Sequence, residues 1–232
     1  MNSTKKAARV AGLLYLVTCI PAPFSLLYVP GKLIVPGNAT ATAGRILASE
    51  SMFRLAIAGE LINAIAFLFV VRALHLLLQG VNKRLASLMV TLFAISIPIS
   101  CLNVLNEIAA LILLRGADFL SVFSQPQREA MALVFLRLHT HGLLLAQIFW
   151  GLWLFPFGVL VYRSGFLPRI LGVLLIINGF AYPIQSFTSF LLPQYEGLVY
   201  RITLPALLGE AVVMLWLLIR GARDQPLAES AA

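Results

Sequence analysis

Apolar residues gather into six long stretches along this chain, at about 9–29, 53–74, 85–114, 130–162, 169–192 and 199–219, with most polar residues left to the gaps. A helix rising 1.5 Å per residue needs about 20 apolar residues to cross a bilayer, and each stretch is that long. The third and fourth run to about 30 residues, which implies tilt or ends that reach into the interface. The pattern predicts an all-α, polytopic membrane protein. It is a bundle of six transmembrane helices forming a single integral membrane domain over residues 1–232, and the polar tail at 221–232 is expected to fray.

The exceptions inside the stretches carry the functional signal. Glu60 sits in AIAGELINAIAFLFVV and Glu210 in LPALLGEAVVMLWLLI, both with apolar neighbours on either side. A carboxylate in hydrocarbon costs roughly 3 kcal/mol unless it is protonated or paired, so such residues turn toward protein or water. Counting residues from the basic ends sorts the buried polar groups into two layers. Glu60, Asn63, Asn178 and Glu210 fall about 14–18 Å in, and Asn103, Asn106, Glu107, Arg137, His139, His141, Gln147 and Gln185 about 22–38 Å in. Glu60 and Asn63 are three apart, and Asn103, Asn106 and Glu107 fall at i, i+3 and i+4, so each set shares a helix face.

A repeat links the two glutamates. Arg9, Arg84 and Arg169 each open a span and are each followed 14 residues later by a proline: Pro23, Pro98 and Pro183. The returning helices of the first and last hairpins carry Gly59-Glu60 and Gly209-Glu210, so the chain reads as three related helical hairpins. Prolines at one depth kink their helices there and free carbonyls, which a water-filled cavity satisfies. An outward-opening vestibule narrowing toward Glu60 and Glu210 is expected.

Composition agrees with the pattern. The chain is 60% hydrophobic and 11% charged, far from the balance of a soluble domain. The net charge of +8 follows a topology. Lys5, Lys6, Arg9, Arg72, Lys83, Arg84, Arg163, Arg169, Arg220 and Arg223 fall on one side, against Lys32, Arg45, Arg54, Arg115, Arg128 and Arg201 on the other. The positive-inside rule then puts both termini in the cytoplasm, and a bacterial inner membrane is expected. No aromatic-interleaved basic patch points to nucleic acid. Cys19 and Cys101 lie inside spans without a C-x-x-C and read as buried inert thiols. In the long second loop, Pro30-Gly31 and Pro36-Gly37 mark turns, and Thr40 or Thr42 is expected to cap an interfacial helix. Pro168 is expected at the first position of the fifth span.

Several chemistries lack their residues. His139 and His141 are two apart, so on a helix they point about 200° from each other and cannot share an ion. A zinc site would need one of them with carboxylates from other helices, and no H-E-x-x-H supports it. His75 has no partner histidine for haem, no G-x-S-x-G marks a nucleophile, and no lysine lies deep in a span. Neither metal nor cofactor is expected. Glu107 and Arg137 read as an ion pair closing the middle hairpin, or as an anchor for an anionic head group.

AARVAGLLYLVT, ATATAGRILASESMFRLAIAGELI and above all FWGLWLFPFGVLVYRSGFLPRILGVLLIINGFAY resemble the integral-membrane family known as domain of unknown function 4386. The resemblance implies six spans and supplies no activity. Three functions fit the residues. One is a proton-linked carrier or binder of a small or lipophilic molecule, with Glu60 and Glu210 sharing a proton and Asn103, Asn106, Glu107, Arg137, His139, His141 and Gln185 lining the entrance. Another is an intramembrane lipid-acting enzyme using a carboxylate and a histidine, and enzyme action is the less expected of the two. The third is a non-catalytic membrane partner subunit. Expected partners are the lipid bilayer and a small-molecule or lipid ligand; homo-oligomerisation is left open, because small residues such as Gly172 suit a dimer face and internal packing equally.

Overall fold

Polar residues interrupt the apolar stretches without ending the helices, so the elements run longer than the hydropathy pattern. The computed structural model describes Thr4–Arg223, and among these residues there is no strand. Seven helices follow: α1 Thr4–Leu33, α2 Ala39–Ala48, α3 Glu50–Leu78, α4 Lys83–Arg115, α5 Gln125–Arg163, α6 Arg169–Leu191 and α7 Pro193–Ile219. All except α2 are long and apolar enough to cross a membrane. α3 shows why the ends extend. It opens on Glu50, whose charge suits a helix N-terminus, and Arg54 one turn on pairs with it at 2.7 Å. The tail past Arg223, expected to fray, lies outside the described residues.

Prolines break the long helices where their missing amides fall. α1 turns after Thr18, restarts at Pro21 and passes through a π-turn at Phe24–Tyr28. Pro98 and Pro183 lie inside α4 and α6. α5 is interrupted at Trp153, because Pro156 has no N–H for the Leu152 carbonyl.

Four local expectations need correction. Pro30-Gly31 makes no turn: Pro30 enters the last helical piece of α1, Val29–Leu33, in its first turn, where its missing N–H is tolerated. Pro36-Gly37 does turn, with Gly37 at φ 74°. The cap of α2 is Asn38, whose side chain accepts from the Ala41 amide at 2.9 Å; Thr42 instead bonds back to Val35. Pro168 is the residue before α6 and not its first, held in extended backbone at ψ 130°. Cys19 is exposed and Cys101 half-buried, both on helix faces that the protein leaves uncovered.

The described residues form two compact units. The first holds those up to Val17, Ala66–Ile97 and those from Leu144 on; the second holds Thr18–Ile65 and Pro98–Leu143. Aromatic rings fill the first, with Phe67 stacked on Phe93, Trp153 stacked on Phe157, and Tyr15 edge-on to Phe67. In the same unit α5 and α6 touch backbone to backbone, since a Cβ on Gly158 would lie 2.7 Å from the Gly172 carbonyl oxygen. Smaller side chains fill the second, around Val29, Ala43, Ile46, Phe53, Ala110 and Ala132. On both units large apolar side chains such as Phe69, Leu102, Phe180 and Ile202 stay exposed, the surface a lipid environment needs.

The Gly-Glu repeat has a structural counterpart. Gly59 packs against Ser25 of α1, and Gly209 against the Leu174 carbonyl of α6. In each hairpin the glycine lets the returning helix approach its outgoing partner one residue before the glutamate.

Candidate functional site: two carboxyls around one imidazole

Three neighbouring helices of the second unit each contribute one ionisable side chain to a common point. His139 on α5 places Nε2 3.1 Å from Glu60 Oε2 on α3 and 3.8 Å from Glu107 Oε2 on α4. One ligand atom from each residue falls within 4.8 Å of the other two. Glu107 is 3% exposed and His139 6%, while Glu60 is half-buried. An imidazole nitrogen carries at most one proton, and the oxygen within hydrogen-bond distance of Nε2 is Glu60 Oε2. Glu107 Oε2 is left without a donor, as are Glu60 Oε1 and, one turn along α3, Asn63 Oδ1. Buried polar atoms without partners are uncommon and expensive. The cluster therefore holds more acceptors than the protein has donors for.

The scaffold beneath it is fully bonded. Asn103, one turn before Glu107, donates from Nδ2 to the His139 carbonyl at 2.9 Å, and Asn106 donates back to Asn103. Gly142 makes room for this, because a Cβ there would fall on the Asn103 amide. α4 and α5 are thus fixed at the turn that carries His139.

Glu60 and His139 were assigned to different layers, and the structure brings them level. The count for Glu60 started from Arg72, but α3 continues to Leu78, so Glu60 lies about 27 Å from the end of its own helix. The expected Glu107–Arg137 pair does not form either. Arg137 is exposed, two residues from His139 and on another face of α5, while Glu107 turns inward to the imidazole. His141 turns back to its own helix, where Nδ1 donates to the Arg137 carbonyl at 2.8 Å.

Glu210, in the first unit, has a different set of partners. Tyr15 of α1 donates to Oε1, and Tyr182 (3.0 Å) and Asn178 (3.2 Å) of α6 donate to Oε2. Three donors on two other helices surround one carboxyl on α7. Asn178 was singled out by its type; the two tyrosines were missed. Tyr182 was findable, because it lies one turn after Asn178 on the same face of α6. Further along the same helices, Gln147 donates to Gln185 at 2.8 Å and Gln185 donates to Thr203, tying α5, α6 and α7 together. A cavity of about 650 Å³ opens in this unit among Lys5, Phe166, Arg169, Trp216, Arg220 and Arg223, at helix ends and away from Glu210.

Six membrane-length helices, a lipid-compatible surface and polar residues turned inward define a multi-pass integral membrane protein. Residues 10–221 match the family described as Domain of unknown function (DUF4386), and the chain belongs to that family. It is also similar to a protein of Archaeoglobus fulgidus described as uncharacterized, 35% identical over 79 residues, which cover 34% of this chain and 46% of that relative. No solved structure matches the chain.

Proposed function

We propose that this protein is a small proton-linked membrane carrier or binder whose exchange site is Glu60, Glu107 and His139. The observation that carries the reading is the approach of two carboxyls to one imidazole nitrogen, at 3.1 and 3.8 Å, inside membrane-length helices. Groups this close can share a proton among them. Glu210 takes a structural role in this reading, since three donors already satisfy it.

The basic residues supply an orientation. Lys5 at the start of α1, Arg169 at the start of α6 and Arg220 at the end of α7 lie around one cavity, as the cytoplasmic ends of a chain with both termini inside would. The membrane is then the plasma membrane, and the exchange site falls in its outer half. The Glu60–His139 contact also favours a second reading, an acid–base pair acting on a lipid.

Infrared difference spectroscopy on the protein in lipid nanodiscs tests the proposal. A carboxyl C=O band should appear and vanish with pH together with an imidazole signal. It should be lost in Glu60→Gln and in Glu107→Gln and retained in Glu210→Gln. A band that persists in both cluster variants, or that only Glu210→Gln removes, contradicts it.

A further inference from the structure

The excess of acceptors at this site is what a metal ion needs. We infer that Glu60, Glu107 and His139 bind a divalent transition-metal cation, coordinated through a carboxylate oxygen of each glutamate and Nε2 of the histidine. The inference rests on the exchange reading of the same site and names what is exchanged against the protons.

Four observations point the same way. The ligand set is mixed nitrogen and oxygen, which suits zinc, manganese or ferrous iron and is a poor match for the all-oxygen shells of calcium and magnesium. The two distances from the imidazole fit with little movement, and all three ligand atoms lie within 4.8 Å of one another. Bonds of about 2.1 Å place neighbouring ligand atoms about 3.0–3.4 Å apart, and Nε2 is 3.1 Å from one oxygen and 3.8 Å from the other. The unpartnered atom points inward: Glu107 is 3% exposed, and its donorless Oε2 is the oxygen that faces His139 Nε2. Charge closes as well, since two carboxylates and a neutral imidazole carry −2, which one divalent ion cancels in a medium where residual charge is costly.

Two histidines at i, i+2 could not make this site. One histidine with carboxylates from two other helices does, and Asn103 fixes the turn that carries it, as outer partners of metal ligands do. Among the described residues three ligands converge, so positions stay open to water or to an incoming ligand, as in sites that exchange what they hold. On binding, one metal–nitrogen and two metal–oxygen bonds form, protons on the carboxyl oxygens and on Nε2 leave to solvent, and the imidazole stays neutral with its one proton on Nδ1.

Tag-free protein in detergent micelles, titrated with cobalt chloride and followed by visible absorption with a pH-indicator dye in weakly buffered solution, tests this. The expected result is one cobalt per chain, with d–d bands of a nitrogen–oxygen site, proton release in step with binding, and displacement by zinc. Loss of an outer partner weakens metal sites about 10–100-fold, so Glu107→Gln and Glu60→Gln should each weaken binding at least about 100-fold, and Glu210→Gln should not. Wild-type protein that binds no cobalt overturns the inference, as does unchanged affinity in both cluster variants. The wild-type spectrum decides the matter even if a variant fails to fold. If cobalt does not bind while the carboxyl band still titrates, the metal is wrong and the exchange site stands. If cobalt binds without releasing protons, the metal site stands and the proton linkage falls. If neither appears, both fall.

Discussion

Two buried polar clusters, each built around a glutamate that follows a glycine, differ in their hydrogen-bond balance. Around Glu210 three donors meet one carboxyl and both its oxygens are engaged, and the Asn178 amide oxygen is the buried atom there without a donor. Around Glu60 a second carboxyl replaces the donors, and a single imidazole serves both, leaving Glu107 Oε2 and Glu60 Oε1 without partners. A carboxyl with donors on both oxygens holds helices together and gains little from a cation. One that lacks them is costly by itself and is relieved by a proton or a cation. The same dipeptide therefore serves structure in one place and a site in the other, and what separates them is the side chains that the neighbouring helices present.

The largest expected effect sharpens this contrast. Glu60→Ala with Glu107→Ala should abolish cobalt binding while the protein remains folded, measured by absorption and by thermal denaturation of the same sample. Next comes Glu210→Ala. Hydrogen bonds between membrane helices average about 0.6 kcal/mol, so loss of three should destabilise by about 2 kcal/mol, without altering cobalt affinity. Reversible unfolding in mixed micelles reads this, and a stability unchanged within error would break the comparison.

A smaller and opposite shift is expected at the other cluster. Glu107→Gln puts an amide donor beside the surplus oxygens, so the metal-free protein should gain up to about 1 kcal/mol while losing affinity. A balanced network would lose stability instead. The smallest effect is Tyr182→Phe, expected to cost about 0.6 kcal/mol, because Asn178 and Tyr15 still donate to Glu210.

The sequence reading was strongest where physics is local. Six spans, the all-helical class and the family were legible because burial in lipid demands long apolar runs, and the helices overlap every predicted span. The polar residues inside them were also found by type alone, Glu60, Glu107, His139, Asn103, Asn178 and Glu210 among them. Their grouping was not. Glu60 was matched with Glu210 through a repeat and a depth count, but α3 runs past Arg72, and contacts between helices depend on rotations that no single helix specifies. Two histidines two apart on one helix cannot share an ion. That left one histidine with carboxylates from other helices as the remaining metal arrangement, and the sequence had no means of bringing α3, α4 and α5 to one point.

Anomalous X-ray scattering from crystals of the protein grown with manganese or zinc tests the central contrast most directly. A single strong peak per chain is expected within about 2.0–2.3 Å of Glu60, Glu107 and His139 Nε2. A peak at Glu210 instead, or none at either cluster while the ion is present in the crystals, would contradict the account.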